Sequence, residues 1–357
     1  MSLPPLSLAS LDSPSLLLNL DVLDKNLQTL SRRLNGKKLR VHFKSLKCGQ
    51  LASYLMGQGI HSFLCAKLNE AEVLAAAGVK DIFIANQLVG KKKLARLAAL
   101  TKKAQTAVLV DCDEHINALA EAAREHGVRL SVLVEVEIGM NRCGAFPGEP
   151  VINLVQKIVQ TPGLQFVGLQ GYDGHLQLCP DKDEQRQRAL AGMKLFSDTR
   201  RELEKLGIAV PLVTGGGTGT FEYALATEGV DEIQPGSFLL MDAIYSTIRP
   251  EFEPSLTVLA TVISRRPGLY ILDAGTKAIS KDFCLPTIKG KPDEKVIKLS
   301  EEHTRVECTG PLPEIGETRE VITGHCCGTM NLHREVVAIR NQAIVGKWPV
   351  EASGRYD

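Results

Sequence analysis

Between about residue 18 and residue 240, short apolar or β-branched runs alternate with helix-periodic segments eight times over. The runs are LRVHFKSL, SFLCA, DIFIAN, TAVLVD, RLSVLVEVEIG, LQFVGLQGYD, PLVTGGG and DEIQPGSF. Between them lie Ala/Leu/Glu/Lys stretches with an apolar stripe, such as DVLDKNLQTLSRRLNG, closed by Gly36. In LNEAEVLAAAG, Asn69 is placed to cap the start and Gly78 to end the helix. A strand, a helix and another strand in the same direction make a parallel βαβ unit. Eight such units over ~220 residues predict a (β/α)8 TIM barrel. A doubly wound open sheet has the same alternation and remains the alternative, because a strand count does not prove closure.

After residue 250 the texture changes. PSLTVLATVISRRPGLYILDAG, KVIKLSEEHTRVEC, TREVITGHCCGTMN and EVVAIRNQAIVGKWPV read as strands separated by Pro, Gly and charged turns. The expected division is a barrel over 18–248 and a mainly β domain over 249–357, to which the Pro-rich segment 1–17 adds a strand. Forty-two basic against 41 acidic residues leave a net charge of +1. That balance gives no reason to expect nucleic acid or an anionic membrane as partner. No run approaches the ~18 apolar residues of a membrane span. The first 20 residues lack the basic n-region of a secretory signal. The nine cysteines show no regular spacing, and Cys48, Cys65, Cys112 and Cys143 sit in or beside apolar runs like small buried hydrophobes. A reducing cytoplasm is the expected compartment.

A barrel of this kind builds its active site from the loops after the strand C-termini, and there the unusual residues collect. Lys44 ends the first strand, Asn141 and Arg142 follow the fifth, Tyr172, Asp173 and His175 end the sixth, and Gly215, Gly216, Gly217 and Thr218 end the seventh. If VHFKSL stays extended, Lys44 shares a face with His42 and Leu46. Burial on that face favours the neutral amine, a nucleophile toward an aldehyde. The glycine run TGGGTGT, between a strand and a helix start, can turn backbone N–H groups toward an anion. It lacks the lysine of a Walker loop. A Schiff-base lysine facing a phosphate loop points to pyridoxal phosphate. In GHCCGTMNLH, His325 and Cys327 share a face if the segment is a strand. A nitrogen and a sulfur then converge on one metal, zinc by ligand type, with manganese, magnesium or cobalt also possible ions. Cys326 and His333 are weaker candidates for the same site.

These segments, in this order and with LDAGTKAIS and SEEH, resemble the fold-type III pyridoxal-phosphate enzymes of the D-threonine aldolase/D-serine dehydratase group, which share their barrel with alanine racemase. The resemblance covers almost the whole chain. It implies that Lys44 binds the cofactor aldehyde, that Arg142 lies beside its phenolic oxygen and Tyr172 near its pyridine nitrogen. Gly216, Gly217 and Thr218 then match the phosphate loop, and His325 with Cys327 the metal pair. The family commonly reads Arg-Pro-His-x-Lys-Thr-x-Lys around the lysine. Here Val41 replaces the proline, Ser45 the threonine, and Leu46 stands where a histidine is common.

The resemblance implies a lyase acting on D-β-hydroxy amino acids. The leading expectation is a D-threonine aldolase, which cleaves its substrate to glycine and an aldehyde. A D-serine or D-3-hydroxyaspartate dehydratase would use the same residues and release an α-keto acid. A racemase or a non-catalytic pyridoxal-phosphate carrier stands further off. A homodimer is also implied.

Overall fold

In the computed structural model of the chain, which describes residues 8–357, the expected alternation is present as a ring of parallel strands. After β1 (Ser15–Asn19) come β2 (Lys38–Leu39), β3 (Val41–His42), β4 (Ser62–Cys65), β5 (Asp81–Gln87), β6 (Gln105–Val110), β7 (Leu130–Glu135), β8 (Leu164–Gly171), β9 (Val213–Gly215) and β10 (Glu232–Ile233). Their order in the sheet is β2-β10-β9-β8-β7-β6-β5-β4-β3. Since β2 and β3 are two halves of one extended segment, the sheet returns to its starting strand: a nearly closed TIM barrel, not an open sheet. Arg40 divides the halves. Lys38 and Leu39 pair with β10, whereas Val41 and His42 pair with β4.

The strands read as continuous apolar runs because helices cover their outer faces while side chains fill the centre. Inside, Leu64, Phe83, Leu109 and Leu133 from four consecutive strands pack together, none more than 2% exposed. The connecting helices follow the pattern, including Lys91–Thr101, Asp113–His126 and the long Lys182–Lys205. Gly78 closes its helix with a φ of +94°, as its position suggested. Asn69 differs from expectation. It lies inside the helix Leu68–Ala76, and Glu70 reaches back to the Ala66 and Lys67 amides in the capping role.

By contacts the chain divides into two compact units, one of residues 33–44, 52–236 and 355–357, the other of residues 8–32, 45–51 and 237–354. Texture had suggested a division at 18 and 248. Contacts instead group the helix Leu20–Ser31, residues 45–51 and residues 237–248 with the second unit, because packing and secondary-structure type are different properties of a segment.

The second unit is mainly β. It contains β1, β11 (Leu256–Arg266), β12 (Leu269–Leu272), β13 (Thr287–Ile288), β14 (Glu294–Leu299), β15 (Thr304–Cys308), β16 (Thr318–Ile322), β17 (Glu335–Arg340) and β18 (Ala343–Pro349). The main path runs β14-β15-β12-β11-β1-β17-β18. The N-terminal strand does join it, antiparallel to β11 and parallel to β17. Residues 1–7 of the segment expected to add that strand lie outside the described residues. Leu17, Leu259, Val337 and Ile339 form one core of this unit. Among the described residues no helix is long and apolar enough to cross a membrane. All nine cysteines are free, with Cys48 and Cys65 buried as expected, Cys112 partly so and Cys143 exposed.

Candidate active site

The strand carrying Lys44 stops earlier than its sequence suggested. Extended pairing ends at His42, and Phe43–Ser45 form a single 3-10 turn. Lys44 therefore takes its direction from that turn and not from strand alternation. Lys44 is half-buried, and its Nζ lies 5.5 Å from the centre of the Tyr172 ring, which follows β8. The Arg142 guanidinium lies 5.5 Å from the same ring centre. All three residues line one cavity of about 240 Å³ at the C-terminal rim of the barrel, together with Gln170, Gln234 and Glu135.

Arg142 reaches this cavity from a loop tied by its own backbone. The Glu137 carboxylate accepts from the Gly139 and Asn141 amides, the latter at 2.8 Å, and Asn141 takes the left-handed conformation at φ +53°. Arg142 Nη2 stands 3.9 Å from Glu135 Oε1. Burial pushes the Glu135 carboxyl up, against the pull of the Gln87 hydrogen bond and of Arg142.

The glycine run has a tighter role than its sequence announced. A Cβ at Gly217 would meet Gln177 Oε1 at 2.4 Å, one at Gly215 would meet the Gly171 carbonyl at 2.5 Å, and one at Gly219 the Gln177 carbonyl at 2.1 Å. Two amides of the run already have internal partners: Gly217 donates to Thr220 Oγ1 at 3.2 Å, and Gly219 to Gln177 Oε1 at 2.8 Å. The helix that follows, Phe221–Ala226, is a single short piece. Gly215, Gly216, Gly217 and Thr218 do not themselves line the cavity, but the amide of Gln234, which does, donates to the Gly216 carbonyl at 3.1 Å.

Asp173 turns away from the cavity toward this same loop. Its Oδ1 accepts from Gln177 Nε2 at 2.9 Å, Gln177 Nε2 also donates to Thr220 Oγ1 at 2.7 Å, and Asp173 Oδ2 is buried without a partner among the described residues. Burial lifts the Asp173 carboxyl to about 6, with Thr220 and Gln177 opposing. Burial likewise lowers the His175 imidazole, and its Nδ1 has no partner among the described residues.

In the second unit, GHCCGTMN is not a strand. β16 ends at Ile322, His325 is the extended residue before the short helix Cys326–Met330, and Cys327 sits in its first turn. The two side chains nevertheless meet, because a cap residue and the second helical residue flank the same helix end. His325 Nδ1 lies 2.8 Å from Asp282 Oδ2, and its ring stacks on Phe283 with centres 3.9 Å apart. Burial lowers the His325 imidazole, but Cys327 and Asp282 outweigh it and lift the group to about 9. Cys327 Sγ is 3.0 Å from Ser45 Oγ and 3.4 Å from Ser237 Oγ.

Of the weaker candidates, Cys326 keeps its Sγ 3.9 Å from Cys327 Sγ, whereas His333 is engaged elsewhere. Cys326 is fully buried, and its neighbour Cys327 and burial push its thiol far up. His333 Nε2 meets the Ala278 carbonyl at 2.8 Å. Asp282 and Phe283, in KDFC, carried no signal in sequence, since only the fold pairs them with His325. Among the described residues, groups of three ligand-type side chains occur on the barrel: Asp111 with Cys112 and His115, and Asp111 with Glu135 and Cys143.

Residues 18–243 match the alanine racemase N-terminal domain, and residues 255–339 the putative serine dehydratase domain. The chain belongs to the alanine racemase-like, fold-type III family of pyridoxal-phosphate enzymes. Within that family it is 34% identical to a D-threonine aldolase of Arthrobacter sp, over 97% of this chain and 94% of the relative. It is 33% identical to a 3-hydroxy-D-aspartate aldolase of Paracoccus denitrificans, over 99% and 95% of the two chains. The crystal structure of D-threonine aldolase from Filomicrobium marinum superposes with a TM-score of 0.95 at 35% identity, covering 99% of both chains. The fold-type III barrel and the mainly β unit seen here are those of a pyridoxal-phosphate-dependent family.

Proposed function

We propose that the chain is a pyridoxal-phosphate- and metal-dependent lyase that cleaves D-threonine and related D-β-hydroxy amino acids to glycine and an aldehyde. The observation that carries this reading is the half-buried Lys44 at the barrel rim, in one cavity with Tyr172 and Arg142. The residues present fit the cofactor. An amine meets the need of an aldehyde, a guanidinium that of a phenolate oxygen, and the buried unpartnered Gln170 Oε1 offers an acceptor in the same wall. Lys44 would hold the aldehyde. Arg142 and Tyr172 would flank the ring, and Gly215, Gly216, Gly217 and Thr218 would hold the phosphate. The bound cofactor supplies an electron sink for the bond broken at the substrate Cα.

Lys44 would also be the base at hand for a proton at or near the substrate Cα. Arg142 and the Tyr172 ring keep the substrate end of the cavity oriented and limit water beside it. In the second unit, His325 and Cys327 are a donor pair suited to a borderline divalent ion. The Asp282 carboxylate on Nδ1 would leave Nε2 of the imidazole for it. Such an ion, zinc, manganese, magnesium or cobalt, would lower the pKa of the substrate hydroxyl. A homodimer and a reducing cytoplasmic home belong to the same proposal; nine free cysteines support the latter.

The deciding experiment incubates the enzyme with D-threonine and with D-serine, with and without chelator. Glycine from D-threonine, lost with chelator, is the expected result. An α-keto acid and no glycine would overturn the aldolase in favour of the dehydratase. Lys44→Ala should abolish the visible absorbance of bound cofactor, and its retention with full turnover would sink the assignment.

A further inference from the structure

Five buried side chains stand in a hydrogen-bonded file within the barrel. Arg40 Nε donates to Glu232 Oε1 at 2.8 Å, while its Nη1 donates to Asp81 Oδ1 at 2.8 Å. Thr214 Oγ1 donates to the same Glu232 oxygen at 2.8 Å, and Gln234 Nε2 donates to Thr214 Oγ1 at 2.9 Å. Gln170 Nε2 then donates to Gln234 Oε1 at 3.4 Å. None of the five is more than 7% exposed. Gln170 and Gln234 line the cavity that Lys44 enters, whereas Arg40, Glu232 and Thr214 do not.

The direction of every bond in the file follows from the charge at its far end. A guanidinium only donates, and the carboxylate facing it only accepts. The single hydroxyl proton of Thr214 therefore goes to Glu232, leaving Thr214 only lone pairs for its other neighbour. Gln234 must turn its NH2 group to Thr214, hence its carbonyl to Gln170. Gln170 answers with its own NH2 group, and its carbonyl oxygen is left over. That oxygen is buried and has no partner among the described residues. Reversing either amide would set two acceptors or two donors against each other between buried side chains.

We propose that Gln170 Oε1 is an oriented acceptor for an N–H or O–H donor on the bound ligand, and that Arg40, Glu232, Thr214 and Gln234 are positioning residues that hold it in that orientation. The inference rests on the reading that this cavity holds pyridoxal phosphate and a D-amino acid. Two sources offer the required donor: the protonated ring nitrogen of the cofactor, and the ammonium or hydroxyl group of the substrate. In either case the wall selects a ligand that donates at this point over one that accepts.

The test works from the remote end of the file. Thr214→Val removes the hydroxyl that transmits direction without altering the cavity wall, and Thr214→Ser keeps it. Pyridoxal phosphate is titrated into each apoenzyme by visible absorbance, and KM for D-threonine is measured on the loaded enzymes. Thr214→Val is expected to weaken one of the two by roughly tenfold, the scale of one lost hydrogen bond, with Thr214→Ser close to the parent. A fall in cofactor affinity assigns the donor to the cofactor; a rise in KM alone assigns it to the substrate. Equal losses in the Val and Ser variants would mean packing and not orientation, and would overturn the inference. If Thr214→Val does not fold, Gln170→Leu takes its place, and unchanged affinity and KM there overturn it equally. Lys44→Ala reports on the underlying reading separately: unaltered cofactor absorbance in that variant removes the functional reading, whatever the Thr214 series shows.

Discussion

Asp282 Oδ2 lies 2.8 Å from His325 Nδ1. This contact engages one nitrogen of the imidazole, and on the proposed reading the other would serve the metal. Asp282→Asn should keep the visible absorbance of bound cofactor and lower metal affinity by about 10- to 100-fold, the usual effect of removing a carboxylate that orients a ligand histidine. Metal content after dialysis against a buffered ion series measures it. Equal metal content in parent and variant would remove Asp282 from this role.

Gly217 owes its identity to a close approach. A methyl group there would stand 2.4 Å from Gln177 Oε1. Gln177 has little freedom to retreat, since Asp173, Thr220 and the Gly219 amide all hold its amide. Gly217→Ala should cost about 1–3 kcal/mol, the range for overpacking a filled site. Urea unfolding reads this directly, and a loss below about 0.5 kcal/mol would mean that the loop shifts freely.

Asp173 predicts a pH dependence with a definite sign. Burial raises its carboxyl from the ordinary 3.8 to about 6 in the folded chain. The folded state thus keeps a proton that the unfolded state has released, and stability falls as pH rises from about 4 to about 6. The loss approaches about 3 kcal/mol, from a shift of roughly two units. Asp173→Asn, which keeps an oxygen for Gln177, should lose that slope. Denaturant midpoints across the window, parent beside variant, make the measurement.

Glu137 organises the loop of Arg142 by accepting the Gly139 and Asn141 amides. Glu137→Ala should free the loop, with a several-fold loss of affinity for the cofactor or substrate and a change in unfolding free energy below about 1 kcal/mol, since the contact is exposed. An unchanged KM together with unchanged cofactor affinity would show that Arg142 is held by other means.

The barrel was legible because parallel strands covered on both faces are written as uninterrupted apolar runs. All eight runs are strands, and TGGGTGT lies between a strand and a helix as its composition suggested. What failed was local geometry near the chemistry. VHFKSL promised alternation through Lys44, but the chain turns at Phe43; GHCCGTMN promised a strand, but a helix starts at Cys326. Short apolar stretches do not distinguish a strand end from one helical turn. Asp282, Phe283, Glu137 and the file ending at Gln170 were unreadable for another reason. Their roles exist only between segments far apart in the chain, and a residue's partners are not encoded in its own neighbourhood. Cys143 sits beside an apolar strand and is exposed all the same, because it lies on the wall of the cavity that Lys44 enters.

The interruption at Arg40 places Lys44 just beyond the seam of the ring. Lys38 and Leu39 are held by β10, nearly 200 positions later, while Val41 and His42 are held by β4. A nascent or half-assembled chain can dock the second pair early but not the first. The segment that carries the amine is thus closed onto two neighbours of very different sequence separation, and the half nearest Lys44 has the nearer partner.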